Sequence, residues 1–204
     1  MEKVKKDEFT LEQVVCEDQE CPLDYADITL YNGHSRLSFG AREVSLTGTH
    51  SFLEAEVASH ITGKSDITQK AIEALFEKEI LIPVYLYNHG RYSLSLEPFG
   101  CEFDSGNLGY FHVSLKDLKE YFSIQKRTTK SRAAVLAYVK DLLPTLTSWL
   151  NGEVYEYEVT QPDGEYEYIS DIITYGEPTA EDLECIMSGF EFIIKSYKEK
   201  NKHV

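Results

Sequence analysis

Three stretches of this 204-residue chain each set a glycine-bearing turn between two β-forming runs. The turns are Asn32-Gly33, Asn88-His89-Gly90 and Pro162-Asp163-Gly164. Such turns tolerate the positive φ that a tight reversal needs, so each predicts a hairpin. The predicted hairpins cover 27–40, 81–100 and 153–173. A hairpin pairs antiparallel strands, which ties the chain to a mostly antiparallel sheet.

Helical patterns lie between and after the hairpins. Ile67, Ala71, Leu75 and Lys78 trace one face of a helix over 65–80, flanked by Ile72, Phe76 and Glu79, with Ser65 or Asp66 as its cap. A strand at 110–114 leads to Ser114, which caps a short helix. Val135, Leu136, Val139, Leu142, Leu143, Leu146 and Leu150 recur at helical spacing over 130–150. Pro144 predicts a kink or break there, and Asn151-Gly152 a stop. Thr179 and Asp182 open a last helix to about 199, with Ile186, Phe190, Ile193, Ile194 and Tyr197 on its apolar face. Residues 49–63 fit a strand or a helix equally, and 1–22 read as a loosely packed polar arm.

The expected class is therefore α+β: a mostly antiparallel sheet built from hairpins and packed against two or three helices. Residues 1–80 (arm, hairpin, helix) form an N-terminal region able to stand as a small lobe. Residues 81–204 form the core, with an acidic C-terminal part. The hydrophobic share of 42% and the 24 Tyr and Phe residues exclude a disordered chain. No apolar run reaches the roughly 18 residues of a membrane span, and the first residues lack a signal peptide's apolar stretch. The expected home is the cytoplasm.

Cys16 and Cys21 have no second pair to complete a zinc site, so reduced thiols are expected. Cys101 and Cys185 read as small buried residues. His34, His50 and His60 lack ligand spacing and read as solvent-facing or capping. No phosphate loop or dinucleotide fingerprint is present. No metal and no cofactor is expected. Lys126, Arg127, Lys130 and Arg132 read as a solvated link, and the overall charge opposes direct nucleic-acid binding.

The run "CEFDSGNLGYFHV" at 101–113 concentrates reactive residue types. A nucleophile reading uses Cys101 or Ser105, with His112 or His89 as base and Asp104 to orient it. The simpler reading is a structural turn of Cys101, Asp104, Ser105 and Gly106, with Cys101 and Phe103 alternating into the core and His112 outward beside Tyr110.

Charge is unevenly placed. The net charge is −15, and residues 151–194 hold 12 Asp or Glu with no Lys or Arg. Strand alternation in 153–159 puts Tyr155, Tyr157 and Val159 on one face and Val154, Glu156 and Glu158 on the other. In 165–169, Tyr166 and Tyr168 oppose Glu165 and Glu167. The expected hairpin gathers the tyrosines on one side and the four glutamates on the other, with Glu153 and Asp171 extending the acidic surface.

The segment "PVYLYNHGRYSLSLEPFGCEFDSGNLGYFHVS", with "WLNGEVYEYEV" beyond the next helix, resembles a family of small bacteriophage and mobile-element proteins. That family carries a PVYLYDH strand, a PFxCxWDSGxxGY turn and a YLxGxVYGY helix end. The likeness spans about residues 83–160, with Phe103 in place of the family's Trp and Glu156 in place of its Gly. It implies a phage or mobile-element context in a bacterial cytoplasm, and it carries over no catalytic residue.

Together these features predict a non-enzymatic interaction protein. Its acidic, tyrosine-rich surface would engage a basic host protein, such as a nucleic-acid-binding defence enzyme of the CRISPR or restriction type. The alternatives are a small enzyme or ligand-binding domain using Cys101, Asp104 and His112, and a phage structural or housekeeping protein.

Overall fold

Alternation of apolar and polar residues decides most strands in the computed structural model, which describes residues 3–16, 19–46, 53–101, 103–169 and 172–201. The first elements are β1 (Val4–Lys6), β2 (Phe9–Val15), β3 (Thr29–Asn32), β4 (Glu43–Ser45), α1 (Leu53–Thr62) and α2 (Gln69–Lys78). Next come β5 (Ile80–Asn88), β6 (Tyr92–Ser95), β7 (Ser105–Val113), α3 (Leu115–Glu120) and α4 (Thr129–Leu150). Then follow β8 (Val154–Thr160), β9 (Tyr166–Tyr168), β10 (Thr174–Tyr175) and α5 (Ala180–Lys200). The class is α+β, with two sheets that are antiparallel except where β3 pairs with β4.

The chain divides into two compact units, 1–19 with 148–204, and 20–147. The boundary expected near residue 80 falls at the start of β5, inside the second unit.

In the first unit β2 and β8 form the centre of a sheet. β1 lies beside β2, and β9 and β10 lie along β8. Phe9, Leu11, Tyr157, Val159 and Ile169 fill one side of this sheet against Ile186, Phe190, Ile193 and Ile194 of α5. Each such side chain contributes about 1.5–3 kcal/mol on burial. Gly189 lets the helix approach, since a Cβ there would stand 2.5 Å from the Ile169 side chain. The Thr179–Asp182 capping box starts α5 as expected. Within the expected loose arm of 1–22, the described residues 4–6 and 9–15 form β1 and β2. Phe9 and Leu11 alternate into the core, a signal that nearby charged residues obscure in the sequence.

The second unit holds a sheet ordered β4-β3-β7-β5-β6. The 81–100 hairpin is β5 with β6, as expected. The 27–40 hairpin is not formed. Asn32 is buried, and its side-chain oxygen accepts the His34 N–H at 2.8 Å while its amide donates to Leu37 O at 2.8 Å. These bonds turn the chain out of β3, which pairs antiparallel with β7 and parallel with β4. Thr68, rather than Ser65 or Asp66, caps α2. α4 continues through Pro144 and buries Val135, Val139, Leu143 and Leu146 along one side.

Candidate functional site

The acidic hairpin belongs to the first unit. Its reversal is built locally: Gly164 N–H donates to Gln161 O at 3.0 Å, and Glu165 N–H donates to the Asp163 side chain at 3.1 Å. Gly164 takes φ +86°, which a side chain would resist. This link sets Glu158 opposite Tyr168, Val159 opposite Glu167, and Thr160 opposite Tyr166.

Residues paired across strands share a face. Tyr166 and Tyr168 therefore stand beside Glu156 and Glu158 on the side away from α5. Glu167 shares the other side with Val159. The expected sorting, tyrosines on one side and four glutamates on the other, is thus corrected. The cause is Ile169, which enters the core beside Gly189 and so turns Tyr168 outward.

Tyr166 and Tyr168 are 62% and 43% exposed, with rings edge to face at 5.7 Å. The Tyr168 hydroxyl donates to Glu158. Loss of water contact, together with the charges of Glu156 and Glu158, holds its pKa above the ordinary phenol value. Across β8, Glu12 faces Glu158 and Val14 faces Glu156. Like charges placed opposite destabilise a ladder, and the ion pair of Lys3 with Glu12 takes up part of that repulsion. Glu156, Glu158, Glu165 and Glu167 form no ion pair with another described residue.

Of the remaining expected contact residues, those described lie apart from this face. Tyr157 is fully buried, with its hydroxyl 2.7 Å from that of Thr174, and belongs to the core. Burial raises its pKa. Tyr155 shares its side and is half-buried. Glu153 precedes β8 and its carbonyl accepts the Gly176 N–H at 2.8 Å. Glu167 accepts from Gln161 at 3.2 Å. Glu165 lies with Asp163 near Tyr197 of α5. Asp171 lies outside the described residues.

In the second unit the expected turn comes earlier in the chain. Phe103 and Asp104 make the bend, while Ser105 and Gly106 already belong to β7, opposite Tyr87 and Leu86. The Ser105 hydroxyl donates to the Cys101 carbonyl. Asp104 Oδ2 meets His89 Nδ1 at 3.1 Å and the Cys101 thiol at 3.7 Å. Phe103 is 99% exposed and does not enter the core. His112 lies eight residues beyond Asp104 along an extended strand, about 26 Å at 3.3 Å per residue. That is far outside hydrogen-bond reach, so Cys101, Asp104 and His112 do not form one site.

His112 is also not outward-facing. It is buried, with Nε2 3.3 Å from Glu79 Oε2, and burial lowers its pKa. Glu79 pairs with Arg127, and Arg132 donates to the Glu79 carbonyl at 2.7 Å. Arg127 and Arg132 of the expected solvated link therefore close the C-terminal end of α2, while Lys126 and Lys130 are exposed as expected. The clue in the sequence was Glu79 at that helix end, with cations some fifty residues later; nothing local joins them.

All four cysteines are thiols. Cys21 is buried and pushed up to about 11 by loss of water contact, which leaves it unreactive. Cys185 is exposed and Cys101 half-buried, contrary to expectation. His60 packs near the Tyr31 ring at 6.1 Å, and His50 lies outside the described residues. Among the described residues no three His, Cys, Asp or Glu side chains are placed to hold a metal ion, and no helix is long and apolar enough to cross a membrane.

Comparison with protein families, with curated proteins and with solved structures finds no match to this chain.

Proposed function

We propose that the protein is a non-enzymatic interaction protein. Its first unit binds a basic protein through the outward face that carries Glu156, Glu158, Tyr166 and Tyr168. The observation that supports this most is the shared face itself: two carboxylates that form no ion pair with a described residue, beside two exposed tyrosines in edge-to-face contact. Carboxylates steer and orient a cationic partner, and tyrosines supply contact area at low entropic cost.

The face is not a copy of a nucleic-acid backbone. Same-face residues stand about 6.6 Å apart along a strand, against one charge per roughly 1.7 Å of duplex axis. Charge here orients, and the aromatic rings anchor. The resemblance over 83–160 narrows the proposed partner to a basic, nucleic-acid-binding defence protein of a bacterial host. Such proteins present cationic surfaces to phosphate.

The test is capture from bacterial lysate by the immobilised protein, with salt raised from about 0.05 to 0.5 M and heparin added as a competing polyanion. A basic partner released by both treatments is the expected result. Capture that survives both contradicts the proposal.

A further inference from the structure

α5 buries one face against the sheet and leaves the opposite face in solvent. At about 100° per residue, Glu181, Cys185, Ser188, Phe192, Lys195 and Glu199 fall within about 60° of one another. They lie across the helix from Ile186, Phe190, Ile193 and Ile194, which fill the core. All six are exposed, and Phe192, at 69%, takes no part in the core beneath. Their spacing of four, three, four, three and four residues is that of a helix seam that packs lengthwise on a second helix.

Charge along the same helix is polarised. Glu181, Asp182 and Glu184 lie in its first turns, and Lys195, Lys198 and Lys200 in its last. Lys198 pairs with Asp7 at 2.5 Å, and Glu191 with Lys6 at 2.7 Å. Glu181 and Lys195 form no ion pair with another described residue. Each stands seven residues from Ser188, on opposite sides of it. A face with opposite charges set equally far on either side of a small residue is complementary to itself turned end for end, the condition for a two-fold contact.

We propose that this face binds a second copy of the chain, α5 against α5, antiparallel about a two-fold axis at Ser188. Glu181 then faces the partner's Lys195, Cys185 faces the partner's Phe192, and Ser188 meets the partner's Ser188. The small Ser188 side chain lets the helix axes approach to about 8–10 Å. On the flank Glu184 comes toward the partner's Glu191, whose charge Lys6 already balances. A parallel pairing would set Glu181 against Glu181 and Lys195 against Lys195, so charge selects the antiparallel one. One helix pair is a small interface, in the size class of weak, reversible contacts. The outward face with Glu156, Glu158, Tyr166 and Tyr168 lies on the side of the sheet away from α5, so the dimer leaves both copies of it free. The pairing does not depend on what binds there.

Sedimentation equilibrium of the full-length protein at low salt, from about 1 to 500 μM, covers the range expected of so small an interface. The expected result is a monomer–dimer equilibrium that weakens as salt is raised. Phe192→Ser weakens it at least about tenfold and leaves the thermal midpoint unchanged. Glu181→Lys and Lys195→Glu are each monomeric alone, because each sets like charges opposite. An equimolar mixture of the two forms heterodimers, since both charge pairs are then restored. Oxidation of the Ser188→Cys variant closes a disulfide between the two copies of position 188. Wild type cross-links slowly, because its two Cys185 residues stand about 9 Å apart along the axis, beyond disulfide reach. The proposal is overturned if wild type stays monomeric throughout, if the mixed charge variants do not associate, or if Ser188→Cys cross-links no faster than wild type.

Discussion

His112 shows how one side chain couples burial to pH. The imidazole lies against Glu79, which is itself held by Arg127, with the Tyr31 ring 5.9 Å away and the Asp117 charge nearby. Burial outweighs these carboxylates and keeps the folded pKa below the ordinary 6.5. The unfolded chain therefore takes up a proton at a pH where the folded one does not. Stability from this group is full above about pH 6.5 and is lost as pH falls toward the lower folded value. Urea unfolding between about pH 7.5 and 5 should show a falling midpoint in wild type and a shallower fall in His112→Gln; equal slopes would contradict this. Phe190, fully buried under the sheet, makes a simpler prediction: Phe190→Ala should cost about 3–5 kcal/mol in the same assay. Phe190 was legible from helical spacing alone. His112 was not, because its partners come from residues 79 and 127 and no local pattern links them.

At the level of elements, turn chemistry was legible where strand partners are adjacent in sequence. The 81–100 and 153–173 hairpins formed at the turns read from sequence. The 27–40 hairpin failed because Asn32 spends its side chain on the following loop and β3 pairs with a distant strand. Gly109 marks that long-range pairing. A Cβ there would stand 1.8 Å from the Tyr31 carbonyl oxygen, so only glycine lets β3 and β7 close. Gly109→Ala should cost about 1–3 kcal/mol or more, read from the thermal midpoint; an unchanged midpoint would show that the strands can part without loss. The β8–β9 register was also within reach of the sequence. Ile169 is the one strongly apolar residue of its strand run, and sending it inward places Tyr166 and Tyr168 outward. Aligning the tyrosine rows instead gave the wrong face.

At the scale of the molecule, the net charge of −15 is concentrated in the 151–194 block, but that block does not form one flat acidic lattice. Glu156 and Glu158 face outward with Tyr166 and Tyr168, Glu165 lies with Asp163 near α5, and Glu191 pairs with Lys6 at 2.7 Å. The sequence showed the quantity of charge, and the strand register decided its direction. Recognition by the outward face alone has a direct test. Two double variants carry the same change in charge: Glu156→Gln with Glu158→Gln on the outward face, and Glu165→Gln with Glu167→Gln away from it. With partner capture measured side by side at low salt, the first pair should lose the basic partner about tenfold while the second retains it. Equal capture by both pairs, or loss confined to the second, would contradict the account.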